Sequence, residues 1–129
     1  MDAITIQLPV LLESGNTTIA ASYRRDDPYA VTLGFDAIRP GAEWVLARDL
    51  FCDALIYGQA GGKPGDVTVT VRGDLVVLGL STPDGAATAV FRRDDVADFI
   101  GQTHQVVRAG QETAELDWSD TAEFPGVSL

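Results

Sequence analysis

Glu43-Trp44-Val45-Leu46-Ala47-Arg48-Asp49-Leu50-Phe51-Cys52-Asp53-Ala54-Leu55-Ile56 is the stretch around which the 129-residue chain is organised. It reads as the end of a strand running straight into a helix. Trp44, Val45 and Leu46 are strand formers. Asp49 falls in the first helical turn, where a carboxylate suits the unpaired amides and the positive end of the helix dipole. Gly58 follows as a stop. At ~100° per residue, Leu50, Phe51, Cys52, Ala54, Leu55 and Ile56 cover most of the circumference, and only Asp49, Asp53 and Tyr57 share a polar stripe. A helix apolar nearly all round is expected to be buried nearly all round. A small domain rarely gives that much cover alone, so a subunit contact is expected near this helix.

The stretch has a double. A shift of 45 residues aligns 31–55 with 76–100 without gaps, and Val31, Leu33, Gly34, Ala42, Val45, Arg48, Asp49 and Asp53 match Val76, Leu78, Gly79, Ala87, Val90, Arg93, Asp94 and Asp98. Those eight identities compare with roughly one or two by chance at ordinary composition. The shared plan is strand, turn, strand, Arg-Asp, helix. Two copies of a supersecondary unit point to one pseudo-twofold domain rather than a solenoid.

The length suffices for one domain with a core. A hydrophobic content of 46% excludes wholesale disorder. No apolar run reaches the ~18–20 residues of a membrane span, and the N-terminus does not read as a signal peptide, so the expected compartment is the cytoplasm. The single cysteine, Cys52, permits no internal disulfide. Net charge is −10, and residues 111–129 hold Glu112, Glu115, Asp117, Asp120 and Glu123 without one base. Such a chain repels phosphate backbones overall.

Taken in order, Ala3–Leu12 alternates as a half-buried strand, with Pro9 arguing for an edge position or a strand end. Strands follow at Thr17–Arg24, Tyr29–Phe35 and the stretch feeding the first helix. Gly58–Gly65 reads as a flexible loop between the two units. Val67–Val71, Leu75–Leu80 and Ala86–Arg92 are the later strands, with Gly73-Asp74 and Pro83-Asp84-Gly85 as turns. The second helix is predicted from Asp94 or Asp95 to about Val107, ordinarily amphipathic, with Gly110 as its stop. A single domain over 1–112 and an acidic tail over 113–129, carrying Trp118 and Phe124, complete the chain.

Chemistry is scarce. The lone histidine, His104, sits at the border of an apolar helix face, and Cys52 reads as a small buried hydrophobe. One Cys and one His do not make a zinc site of the usual kind. Asp26/Asp27 and Asp94/Asp95 stand where turns and helix starts favour Asp. The glycines at 58–65 match no phosphate-cradling pattern. No catalytic residue, cofactor or metal is therefore expected, and the chain is read as a non-enzyme. The competing physical reading is single-stranded nucleic-acid binding, with Arg24, Arg25, Arg72, Arg92 and Arg93 beside Tyr23 and Tyr29; the global charge argues against it.

Asp27-Pro28-Tyr29-Ala30-Val31, Glu43-Trp44-Val45-Leu46-Ala47-Arg48-Asp49-Leu50, Gly65-Asp66-Val67, Ser81-Thr82-Pro83-Asp84-Gly85 and Phe99-Ile100-Gly101-Gln102-Thr103 follow the order and spacing of the SsgA-like proteins, which the chain resembles over roughly 3–112. These are sporulation and cell-division regulators of filamentous actinobacteria. Val107-Arg108-Ala109-Gly110 departs from the family's usual Val-Pro-x-Gly. The resemblance implies an α+β, whirly-type fold: two antiparallel β-sheets with two main helices, built from a duplicated strands-then-helix unit. It implies a homotrimer, partners in the division machinery such as FtsZ or other SsgA-like proteins, and action at division septa. It supplies no catalytic residue. Trp44, Arg48, Asp49, Leu50, Asp53 and Tyr57 are the expected protein–protein interface.

Overall fold

β1 (Ala3–Leu12) and β2 (Gly15–Arg24) form a hairpin paired without a break from Ala3↔Arg24 to Leu12↔Gly15. In this computed structural model, which describes residues 2–35, 40–61, 67–82 and 85–115, the hairpin is the centre of an eight-stranded, wholly antiparallel sheet. β3 (Asp27–Gly34) and β4 (Glu43–Ala47) extend it on one side. β8 (Gly85–Arg92), β7 (Leu75–Thr82), β6 (Thr68–Arg72) and β5 (Gln59–Gly61) extend it on the other. The helices are α1 (Arg48–Tyr57) and α2 (Arg93–Val106), and a 3-10 turn covers Glu112–Glu115.

The expected two sheets are one. The strands of the two repeat units meet where β1 pairs with β8, through only Val10↔Phe91 and Leu11↔Val90. This seam also explains Pro9. β1 is central rather than an edge strand, but Pro9, which lacks an N–H, lies just outside the short β8 ladder. Pro28, on β3, lies within the irregularity where Tyr23 pairs with Val31 but Arg24 with Asp27, a usual place for proline in a sheet.

The length of α1 fixes the overall shape. Eight strands laid flat put their outer edges ~34 Å apart. Yet α1 leaves edge strand β4 directly at Ala47 and reaches edge strand β5 through Gly58 alone. Ten helical residues span only ~15 Å. The sheet must therefore curl until its edges approach, and α1 packs against β3 and β4 on one side of the opening and β5 and β6 on the other. α2 lies over the central strands β1, β2, β7 and β8, and the two helices touch. The inward strand positions meet them as a continuous core, including Leu8, Val10, Ile19, Val31, Leu33, Val76, Leu78 and Phe91.

The 45-residue repeat is visible in three dimensions. In both units a strand runs into its helix with no loop: Ala47 into Arg48, Arg92 into Arg93. Val31 and Val76, Leu33 and Leu78, and Leu46 and Phe91 are buried as pairs of equivalents. The helix ends differ. α1 stops at Gly58 in the left-handed region (φ 88°), whose N–H donates to the Ala54 carbonyl. α2 stops at Val107 in extended conformation, three residues before the expected Gly110. Part of the expected glycine loop, Gln59–Gly61, is instead an edge strand. The turn at Pro83-Asp84 and the acidic segment from Leu116, with Trp118 and Phe124, lie outside the described residues.

Because Phe91 fills the core at the seam, paired to Val10 and Val76, Phe91→Ala is expected to cost ~3–5 kcal/mol in urea unfolding. A loss below about 1 kcal/mol would show that the seam does not depend on its packing.

Candidate interaction site around the first helix

Arg48 opens α1, and its side chain is 1% exposed. The strand-to-helix transition aims it inward, against the C-terminal end of α2. Its Nη1 donates to the Val107 carbonyl at 2.7 Å and the Thr103 carbonyl at 3.2 Å. These are end-of-helix acceptors, where a cation is favoured. Nη2 lies 3.5 Å from Oε2 of Glu112, itself buried in the 3-10 turn. The guanidinium carbon sits 4.9 Å from the centroid of the Tyr23 ring, a cation–π distance. Tyr23 donates its hydroxyl proton to the Pro28 carbonyl at 2.8 Å, and Tyr29 hydrogen-bonds Thr113. One arginine thus ties α1, α2, β2 and the 3-10 turn together.

The local field follows from this charge. Burial alone would raise the Glu112 carboxyl. Backbone hydrogen bonding at Glu112 and Gly110, with Arg48, outweighs it and holds the group below its ordinary range. Burial pushes the Tyr23 hydroxyl up despite Arg48. Cys52 Sγ lies 3.7 Å from His104 Nε2. Burial raises the thiol and, with Arg48 adding to it, lowers the imidazole. Both shifts favour the neutral forms, the reverse of an activated thiolate–imidazolium pair. Among the described residues no group of three His, Cys, Asp or Glu side chains is placed to hold a metal, and no helix is long and apolar enough to cross a membrane. A shallow groove of about 540 Å³ follows the end of α2 and is lined by Arg25, His104, Gln105, Arg108 and Gln111 among others.

The six residues expected at an interface separate into two groups. Asp49, Asp53 and Tyr57 lie exposed along one face of α1. Leu50 and Trp44 are half-buried and packed against the core, and Arg48 is enclosed, serving the fold's interior. The helix is not buried all round. Ile56, which the sequence reading assigned to the covered surface, is 70% exposed and Tyr57 78%. On neighbouring edge strand β4, Val45 is 59% exposed. The signal for Ile56 was its spacing: seven residues after Asp49, it must return to the same face.

The site is a fold-stabilising cluster with no assembled catalytic constellation among the described residues. Residues 18–112 match the family of the Streptomyces sporulation and cell division protein SsgA. The chain belongs to that family. It is 42% identical over 113 residues to the sporulation-specific cell division protein SsgB of Salinispora tropica, covering 81% of this chain and 76% of that one. It is 40% identical over 102 residues to SsgB of Saccharopolyspora erythraea, covering 76% and 70%. The crystal structure of the SsgA-like sporulation-specific cell division protein from Thermobifida fusca superposes with a TM-score of 0.73 at 29% identity, covering 94% of both chains. A solved structure from work on SsgB mutations that correlate with longitudinal cell division during sporulation of Streptomyces coelicolor gives 0.73 at 28%, covering 88% of this chain and 94% of that one. These relatives support a role in sporulation-specific cell division.

Arg48→Met leaves Glu112 buried without its cation and is expected to cost ~3–5 kcal/mol. The Glu112 carboxyl has a folded value depressed below its ordinary 4.5. Its stabilisation is therefore complete above that ordinary value and is lost as pH falls through the lower folded one. Urea unfolding from pH 7 down to about pH 3 is expected to show a steeper acid loss in the wild type than in Glu112→Gln. Parallel curves would refute the linkage.

Proposed function

We propose that this chain is a non-enzymatic regulator of sporulation-specific cell division that helps position or assemble the septum through protein–protein contacts. It works in the cytoplasm at division septa as a homo-oligomer, a trimer of whirly-type domains, toward division-machinery partners such as FtsZ or other SsgA-like proteins. The observation that carries the reading is the outer face of α1. α2 buries Val96, Phe99, Ile100 and Val106 and turns Asp94, Asp98, Gln102 and Gln105 outward. α1 turns Ile56 and Tyr57 outward instead. Equivalent units inside one pseudo-symmetric domain need equal cover. The additional apolar surface on one of them suits a neighbouring subunit. An oligomer that repeats its surfaces gains avidity for a filamentous partner from individually weak contacts.

Light scattering at micromolar concentration is expected to give three times the 13.7 kDa chain mass, and a 13.7 kDa species would refute the oligomer. Ile56→Asp with Tyr57→Asp, both at exposed positions, is expected to yield a folded monomer. An unchanged mass would remove this helix from the interface. A deletion strain with normal septation would remove the division role.

A further inference from the structure

The sheet turns one face to the helices and the other outward, and on the outer face the two repeat units differ. Register sets the rows in the second unit. Arg72 pairs with Leu75 and Leu75 with Arg92. One step along, Val77 pairs with Val90, and Val90 with Leu11 across the seam. Directly paired residues share a face, so Leu11, Leu75, Val77 and Val90 form one apolar patch with an arginine on each side of Leu75. Leu11 and Leu75 are 47% and 44% exposed. Val77 and Val90 are half-buried, and both arginines are exposed.

The first unit carries Ala30, Thr32, Val45 and Ala47 at the positions equivalent to Leu75, Val77, Val90 and Arg92, and Asp27 at that of Arg72. Its outer face is small and carries no arginine at these positions, while the inward residues of the two units match. The duplicated scaffold therefore does not require the arginine-flanked patch. Nor, among the described residues, do Arg72 and Arg92 serve the fold through ion pairs. Arg24, Arg25 and Arg48 pair with Asp26, Asp2 and Glu112. Among the described residues Arg72 and Arg92 make no such pair. On a chain of net charge −10 they form a local positive rim around apolar surface.

We propose that this outer face of β7, β8 and β1 binds an extended acidic segment of a partner protein, with carboxylates on Arg72 and Arg92 and an apolar or aromatic side chain between them over Leu75, Val77, Val90 and Leu11. The inference deepens the scaffold reading, on which it rests, by giving the partner's chemistry. It does not depend on the α1 interface. The geometry suits the pattern acid-x-apolar-x-acid. Arg72 and Arg92 stand two strands apart, ~10 Å between backbones, and an extended segment puts side chains four residues apart on one side at ~13 Å. Long arginine side chains cover the difference and the central side chain falls on Leu75. A second copy docked twofold through this patch would set its arginines against each other. Nucleic acid would meet the acidic remainder of the surface.

The test is an NMR titration of the isotope-labelled full chain with a synthetic peptide holding Phe between Asp and Glu two residues away on either side, and a control with Gly for Phe. Amide shifts are expected to cluster at 10–12, 72–77 and 88–92. Arg72→Glu with Arg92→Glu is expected to weaken binding at least about tenfold while leaving the remaining spectrum in place. No shifts, shifts confined elsewhere, equal binding by the variant, or equal binding of the control would overturn the proposal. So would tighter binding of oligothymidylate at the same face, or a drop in oligomer mass in the arginine variant. Light scattering on the same samples separates the two readings. A monomer that still binds the peptide sinks the α1 interface and leaves this site standing; a trimer without peptide shifts does the reverse.

Discussion

The buried guanidinium of Arg48 is the interaction on which the arrangement of elements depends. A desolvated cation is tolerated only where opposite charge, carbonyls or aromatic faces surround it. Here the acceptors belong to different parts of the chain: Thr103 and Val107 at the end of α2, Glu112 in the 3-10 turn, and the Tyr23 ring on β2. Leaving any of them behind would expose the charge to an apolar interior. The requirement therefore fixes the end of α2 against the start of α1 and holds the chain beyond α2 against β3, where Tyr29 meets Thr113. It also accounts for how α2 ends. That helix has an extended residue at its C-cap where α1 has a left-handed glycine, and the arginine of the other repeat unit donates to the Val107 carbonyl and joins the Val107 N–H on the Thr103 carbonyl.

The second constraint is the span of α1. A ten-residue helix joining opposite edges of an eight-stranded sheet forces the curl, and the curl makes room for α2 over the central strands. Curl and clasp act together. α1 fills the opening between the edges and carries Arg48 into the interior, so one short helix both closes the sheet and anchors its partner. The cost falls on its outer face, where closing the gap leaves Ile56 and Tyr57 facing outward.

Much of this was legible in the sequence because it is periodic or local. The alternation of β1, the run of strand into helix at Ala47-Arg48, the Gly58 stop and the 45-residue repeat all rest on spacing. Sheet connectivity did not, because the seam is two residue pairs between strands about eighty positions apart, and no local pattern announces it. Helix burial was misread for a related reason. Composition shows that α1 is apolar, but the angular position of Ile56 relative to Asp49 decides that it faces out. Arg48 was singled out for a partner contact, and its partners proved to be within the chain. An arginine next to an aspartate reads as a surface pair until the end of α2 is known to arrive beside it.

Three of the five strings that carried the family resemblance converge on this same cluster. Arg48 from the second string donates to Thr103 from the last, while from the first Pro28 accepts from Tyr23 beneath the guanidinium and Tyr29 bonds Thr113 in the 3-10 turn. They are therefore signatures of the scaffold, which is why they identify the fold while pointing to no reaction. The proposed contacts lie where the two repeat units are not held alike by the core. Those places are the outer face of α1 and the arginine-rimmed face of the second unit. Both are apolar surfaces that the fold does not require, which is why the two proposals rest on them.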